Sequence, residues 1–226
     1  MNVRREFDAW AADGRDCGME ERHWHTAKHA LARLPTESGD AVLDLGSGSG
    51  YVGRALRATT DIEFVAGLDG SPEMVRNARS YADDPGVAFL QGDFGALPFA
   101  TGSFDHAFSM EAFYYASDPH ETLRELARVL RSGGSFHCAV NYYTESAHSR
   151  DWQDNIDVPM TRWDMSEYRA AFRDAGFHVA AQDTIPDREV EIPPADEFPT
   201  EDWASREAMV ERYREFGTLV TIGVVP

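Results

Sequence analysis

Val42-Leu-Asp-Leu-Gly-Ser-Gly-Ser-Gly50 decides how this chain folds. An apolar run too short for a helix is interrupted by an acid, Asp44, and then closed by glycines at alternate positions, Gly46, Gly48 and Gly50. Val42 to Leu45 predicts a buried strand, and Tyr51 to Ala58 the helix that follows it. The glycines between them let the backbone turn sharply and approach a ligand, since no Cβ stands in the way. Their amide N–H groups, with that of Ser47, fall at a helix start, where unpaired donors can receive polar ligand atoms.

Two cofactor chemistries compete for such a turn. Gly48, Gly50 and Gly53 satisfy the G-x-G-x-x-G spacing of dinucleotide folds, and Asp69, 21 residues beyond Gly48, is near where a ribose-binding acid is expected. That spacing leaves Asp44 unexplained. A pyrophosphate would be repelled by a carboxylate at the strand end, whereas a cation carrying an amino group would be attracted. Phe64-Val-Ala-Gly-Leu-Asp69 is a second apolar strand ending in an acid, able to accept hydrogen bonds from both hydroxyls of a ribose. Gly70-Ser71-Pro72 then turns the chain into a helix with Ser71 as N-cap and Pro72 in its first turn, and Met74 is placed to pack on an adenine face. A third strand, Val87 to Gln91, ends in Gly92-Asp93-Phe94, an acid and an aromatic that suit an adenine amino group and ring. Asp44, Asp69 and Asp93 thus close three consecutive strands.

In this pattern, an acid followed closely by G-x-G-x-G, the chain resembles the class I S-adenosylmethionine (SAM)-dependent methyltransferases, and within them the quinone-biosynthesis-like, type 11 branch. SAM carries a sulfonium and an ammonium and no phosphate, which suits Asp44. The resemblance implies an α/β, Rossmann-like fold: a doubly wound seven-stranded sheet, mostly parallel with a C-terminal antiparallel strand, under an N-terminal helical lid. It extends over roughly residues 38 to 224. Ser103-Phe-Asp-His-Ala-Phe-Ser-Met110 matches the fourth strand, and Glu111-Ala-Phe-Tyr-Tyr115 follows at its C-terminal edge, where ligands bind in open α/β sheets. His120 to Leu130 is a helix started by Asp118 or Pro119, and Arg131-Ser-Gly-Gly134 turns into a fifth strand from Ser135 to Asn141. A helix from Arg162 to Ala175 closed by Gly176, and strands His178 to Thr184 and Gly217 to Val224, complete the pattern. The SAM-binding residues it implies are Asp44, Gly46, Ser47, Gly48, Gly50, Asp69, Gly70, Met74, Gly92, Asp93, Phe94 and Met110. The activity it implies is methyl transfer from SAM to a small-molecule acceptor. An NAD-type oxidoreductase and a SAM-binding protein without catalysis remain as alternatives.

An activated methyl donor asks the protein mainly for alignment and exclusion of water. A general base is needed only where the nucleophile must lose a proton held well above ambient pH. Glu111, His25, His29 and Tyr142 are candidates; none is assigned, and Glu111 has a competing role in orienting the cofactor. Phe7 to Leu34 carries aromatics and His23-Trp-His25-x-x-x-His29; as a lid it would bring Trp10, Met19 and Trp24 over the pocket. His25 and His29 share a helix face, yet no carboxylate or cysteine motif accompanies them and no metal is expected. The insertion Asn141 to Trp163 is long for a connection. Its Tyr142, Tyr143, Glu145, His148 and Trp152, joined by Tyr114 and Tyr115, read either as packing or as an aromatic mouth for a planar, amine-bearing or moderately apolar molecule. Ile185 to Asp202 reads as a solvated excursion before a helix from Trp203 to Phe216.

The 226 residues predict a single domain, with 1–37 as lid, 38–142 as cofactor core, and 143–226 as substrate-side insertion and last strands. No apolar run approaches about 18 residues, so no membrane span is expected, and the charged start lacks a signal-peptide apolar stretch. Of the two cysteines, Cys138 falls inside a strand and reads as a small core residue; with Cys17 it fits a reducing cytoplasm. Net charge is −18, from 39 acids against 21 bases, of which only Lys28 is lysine. Such a surface repels a phosphodiester backbone, which argues against a nucleic-acid partner. Acid excess with almost no lysine fits a salt-adapted, halophilic protein, or else an ordinary acidic protein of a GC-rich genome. A homodimer is left open.

Overall fold

A computed structural model describes residues 3–150, 152–156, 158–200 and 203–226; the Cys17 side chain lies outside the described ones. Two helices, α1 (Val3–Ala12) and α2 (Arg15–Leu31), precede the sheet and are separated at Gly14, whose φ of 71° breaks the helix. Strands and helices then alternate: β1 (Ala41–Leu45), α3 (Tyr51–Thr59), β2 (Phe64–Asp69), α4 (Pro72–Tyr81), β3 (Val87–Gln91), β4 (Phe104–Met110), α5 (Pro119–Val129) and β5 (Leu130–Val140). The remainder holds one helical turn, α6 (Trp152–Asn155), then α7 (Met165–Asp174), β6 (His178–Ile185), α8 (Arg206–Val210) and β7 (Thr218–Val224).

The seven strands form one sheet in the order β3-β2-β1-β4-β5-β7-β6. β1 to β5 pair in parallel, and β7 runs antiparallel to both β5 and β6. Side chains alternate between the two faces, as a period of two requires. Leu43 and Leu45 of β1, with Ala66 and Leu68 of β2, pack under α5 and α7 through Leu123, Leu126, Ala171 and Phe172. Val42 and Val65 face the other way, toward Val52 and Leu56 of α3 and Ala27 and Ala30 of α2. A sheet covered on both faces explains the continuous apolar runs of β1 and β2. The caps follow the sequence: Ser71 accepts the Met74 N–H (3.1 Å) and Asp118 that of Glu121 (3.0 Å).

Four stretches differ from the sequence expectation. Arg131 to Gly134 is not a separate turn but part of β5. Four of its residues lie opposite the single Asp105 of β4, a bulge that Gly133 (φ 83°) and an Arg131–Asp105 pair accommodate. α7 starts at Met165, because Asp164 and Glu167 form a reciprocal capping box there. α8 starts at Arg206 under a Ser205 cap and changes at Glu211 into a π-helical turn ending at Phe216. The stretch after Ile185 begins packed rather than solvated: Asp187 is buried and accepts the Glu189 and Val190 N–H groups, both at 3.0 Å. Glu201 and Asp202 at its far end lie outside the described residues.

The order 3-2-1-4-5 places a topological switch between β1 and β4. Chains leave these two strands in opposite directions there and open a crevice at the C-terminal edge.

Candidate active site

A cavity of about 530 Å³ occupies that crevice, within the range for small-molecule sites. Its floor is the loop after β1. Gly46, at φ 76°, comes so close to the segment after β4 that a Cβ on it would stand 2.1 Å from Ala112 Cβ. Gly48 lines the cavity with open space where a Cβ would project. The loop amides are taken within the chain, contrary to the expectation that they await a ligand. Leu68 O accepts Gly46 N–H (2.7 Å) and Ser47 N–H (3.1 Å), and Ser47 O accepts Gly50 N–H (2.7 Å). Gly48 donates to Asp69 Oδ2 at 2.9 Å. The reason is that Gly46, Gly48 and Gly50 must be held at positive φ, and β2 lies beside them as the nearest acceptor.

Asp69 ends β2 on the cavity wall, its Oδ1 accepting Ser71 N–H at 2.8 Å; burial raises its pKa, against those backbone bonds. Gly70, Met74, Gly92, Asp93, Phe94 and Met110 also line the cavity, as does Ser47. Asp93 Oδ1 accepts Gly95 N–H at 2.8 Å. Asp44 and Gly50 do not line it. Asp44 sits behind the loop, 1% exposed, beside the first turn of α3, where the Gly53 N–H works against the rise in its pKa and the N-cap glycine offers no side chain. Burial, and then the neighbouring Asp69 charge, push Asp44 up to about 8. Its Oδ2 has no hydrogen-bond partner, nor do the buried Ser47 Oγ and Tyr51 Oη close by in sequence.

The roof comes from the first two helices. Val3, Arg4 and Phe7 of α1 and Asp16, Met19, Glu20 and His23 of α2 line the cavity. Polar contacts fasten them to the core: Ser71 donates to Asp8 (2.6 Å), Asn77 to Asp16 (3.0 Å) and Arg54 to Glu20 (2.7 Å). Of the three residues expected above the pocket, only Met19 is there. Trp10 donates to Glu6 (2.9 Å) under the Arg15 guanidinium, and Trp24 packs edge-on against Tyr51. His23 stood in the sequence as one of three lid histidines without a role, and Asp16 and Glu20 were not expected at the pocket. Their signal was the spacing Asp16, Glu20, His23, which shares one helix face. Burial, with Arg22 nearby, lowers His23 to about 4, so its ring is neutral at pH 7.

Glu111 stands on the wall after β4, in a left-handed conformation (φ 57°) that non-glycine residues seldom adopt. Asn141 N–H donates to its Oε1 and Tyr114 O–H to its Oε2, the latter at 3.2 Å. Burial raises its pKa to about 7, while the Arg212 charge and these hydrogen bonds oppose the rise. Tyr115 lines the cavity in edge contact with Phe7. His25, His29 and Tyr142 lie off the cavity. His25 faces Asp187 at 3.5 Å, and Tyr142 is buried between Tyr114 and Trp152, its O–H on Gln153 (3.2 Å). The insertion's tyrosines thus pack, and Tyr115 alone of the aromatic group reaches the wall. Cys138 is a buried core residue. Among the described residues, no group of three or more His, Cys, Asp or Glu side chains is arranged to hold a metal.

Glycine loop, strand-end acids and switch-point cavity define a class: the chain belongs to the class I SAM-dependent methyltransferases. A family model described as "Methyltransferase domain" matches residues 43–138. The chain is similar to a chain of the solved complex between the Haloferax volcanii Trm112 methyltransferase activator and a proposed methyltransferase, at 66% identity, 97% coverage of both chains and a TM-score of 0.96. It is 31% identical over 170 residues to 2-methyl-6-phytyl-1,4-hydroquinone methyltransferase 2 of Oryza sativa subsp. japonica, covering 74% of this chain and 44% of the relative. Sterol 24-C-methyltransferase erg6 of Aspergillus fumigatus is 29% identical over 185 residues, covering 76% and 48%. The chain therefore spans less than half the length of these two relatives. The dinucleotide alternative falls with this result. Its third glycine, Gly53, lies inside α3 and off the cavity, and five carboxylates on the cavity wall (Asp16, Glu20, Asp69, Asp93 and Glu111) would repel a pyrophosphate.

Proposed function

We propose that the cavity binds SAM and that the protein transfers its methyl group to a small-molecule acceptor entering beside Glu111 and Tyr115. The observation that carries this reading is the group of unpartnered polar atoms in the 44–51 segment, Asp44 Oδ2, Ser47 Oγ and Tyr51 Oη. Ser47 and Tyr51 line the cavity and offer two hydroxyl donors to the carboxylate of an amino-acid moiety, while Asp44 behind the loop acts on its ammonium through charge; leaving such groups unmet is costly. Bound there, SAM supplies a methyl group already activated on a sulfonium. Asp69, with one N–H on each oxygen, keeps a lone pair on each for the ribose hydroxyls. Gly70, Met74, Gly92, Asp93 and Phe94 would enclose the adenine, Met110 would line the wall beside it, and Gly46 and Gly48, with Gly50 behind them, would keep the loop close to the ligand. Glu111 accepts the acceptor's proton as its nucleophile is methylated, and the roof helices exclude water.

In this reading residues 38–142 are the cofactor core, 1–37 its lid and 143–226 the acceptor side. The aromatic-lined wall suits a planar or moderately apolar acceptor, and the acid excess argues against nucleic acid. Similarity to the Haloferax chain supports a salt-adapted cytoplasmic protein working with an activator of the Trm112 kind, in place of a homodimer. No helix among the described residues is long and apolar enough to cross a membrane. Titration calorimetry with SAM, S-adenosylhomocysteine and NAD, at low and molar salt, tests the reading. Micromolar binding of the first two without NAD is expected, and binding seen only in molar salt would support the salt-adapted reading. NAD binding without SAM would overturn it. Copurification with a coexpressed Trm112 homologue tests the partner.

A further inference from the structure

Four buried polar residues from four separate parts of the chain form one line of hydrogen bonds that ends on Glu111. Thr218, at the start of β7, has its Oγ1 2.8 Å from Asn141 Oδ1 and 3.1 Å from Thr26 Oγ1 of α2. Asn141, just past β5, donates its backbone N–H to Glu111 Oε1, and its side-chain amide lies near enough to that carboxylate to help hold its pKa down. Thr26, Glu111, Asn141 and Thr218 are each at most 9% exposed.

Proton arithmetic fixes the direction of the chain. An amide oxygen only accepts, so the single Thr218 hydroxyl proton goes to Asn141 Oδ1. Thr26, whose Oγ1 also lies 3.5 Å from His23 O, then donates to Thr218 across the shorter of its two contacts. With Oδ1 engaged, the Asn141 NH₂ is turned toward Glu111; the flipped amide would set its oxygen against a carboxylate. We propose that Thr218 is a positioning residue for Glu111, holding the Asn141 amide toward the carboxylate and linking that orientation to the seating of α2. The link matters because Thr26 lies on the helix that carries Met19, Glu20 and His23 of the roof. A seated roof completes the chain, and an unseated one leaves Thr218 without its donor. The catalytic meaning of the link rests on Glu111 serving the acceptor.

Other ionisable groups also act around Glu111, and a substitution at Thr218 leaves them in place. Arg212 reaches it from the π-helical turn, Tyr114 from the segment after β4, Cys138 from β5, Tyr51 from α3, Tyr115 beside Tyr114, and Tyr168 from α7. A change in Glu111 titration on Thr218→Val therefore reports the Asn141 amide.

The experiment is a carbon-detected NMR titration of glutamate side-chain carboxyls on the full chain, with the Glu111 signal identified by its loss in Glu111→Gln. Thr218→Val should move the Glu111 midpoint upward by about half a pH unit or more, since a carboxylate that loses a donor is harder to ionise. Thr26→Val should move it the same way by less, and Thr218→Ser should restore the wild-type curve. Thr26→Val and Thr218→Ser keep the test available if Thr218→Val folds poorly. Curves for Thr218→Val and Thr26→Val that overlay the wild type, whatever the change in melting temperature, overturn the proposal and leave the threonines as packing. The base role fails separately, if Glu111→Gln methylates its acceptor at the wild-type rate, and that result leaves the titration untouched.

Discussion

Gly48 donates its backbone N–H to Asp69 Oδ2 across 2.9 Å, so the loop after β1 is held by the acid that ends β2. The other oxygen of Asp69 takes Ser71 N–H at 2.8 Å and fixes the start of α4. One side chain therefore sets the distance between two walls of the cavity while keeping lone pairs free. Asp69→Ala should weaken S-adenosylhomocysteine binding by about 1–3 kcal/mol, the value of lost charge-assisted hydrogen bonds. Calorimetry measures it, and unchanged affinity would remove Asp69 from the site.

Gly46 and Gly48 should respond differently to alanine. Both have positive φ, but a Cβ at Gly46 meets Ala112 at 2.1 Å and one at Gly48 meets nothing within 4 Å. Gly48→Ala carries only backbone strain, about 1–2 kcal/mol. Gly46→Ala adds a clash between two backbone segments that neither can relieve alone. Its melting temperature should fall several degrees further, by about 2–4 °C per additional kcal/mol in a chain of this size. Equal melting temperatures would contradict the close approach.

Asp44, pushed up to about 8, is mostly protonated at pH 7. A cationic ligand group beyond the loop favours the carboxylate, so SAM binding near neutrality should release protons. Calorimetric enthalpies in phosphate and Tris buffers would differ accordingly, and Asp44→Asn should abolish the difference. The sign for stability is opposite to that of an ion-paired acid. With its folded pKa raised from 3.8, Asp44 stabilises at low pH, and this contribution is lost as pH rises through about 8.

His137 imposes a limit on the acid side. It is buried in β5, shares the Ser135 hydroxyl with His106, and leaves its Nδ1 without a partner. Burial lowers it from 6.5 to about 4. The unfolded chain takes up this proton below 6.5 while the folded one does not. Stability present above 6.5 is therefore lost as pH falls toward 4, by up to about 3 kcal/mol. Urea midpoints between pH 7.5 and 4.5 should fall less steeply in His137→Phe than in the wild type; parallel slopes would assign the loss elsewhere.

β2 and β3 could be bounded to the residue from sequence, because each is an apolar run between turn residues and covered on its inner face. The glycine loop and the strand-end acids were legible for the same local reasons. The roof face was not. Its Asp16-Glu20-His23 spacing is present, but Trp10 and Trp24 are larger, and which of them turns inward depends on the break at Gly14 and on partners such as Asn77, 61 residues from Asp16. Nor does sequence reveal that Leu68 O takes the amides of Gly46 and Ser47, or that Glu111 has a positive φ. Both follow from how β1, β2 and β4 lie side by side, which is a property of the assembled sheet. Asp44 shows the remaining limit: an acid placed correctly before the glycines turned out to serve the helix behind them as well.

The carboxylates that ring the cavity favour one side of a turnover over the other. Asp16, Glu20, Asp69, Asp93 and Glu111 line the cavity, and SAM bound there would enter with a sulfonium charge and leave as a neutral thioether. The wall attracts the fresh donor and loosens its hold on the spent one, so expulsion of product is favoured by electrostatics. Salt weakens the discrimination. Inhibition by the spent donor should therefore deepen as ionic strength rises.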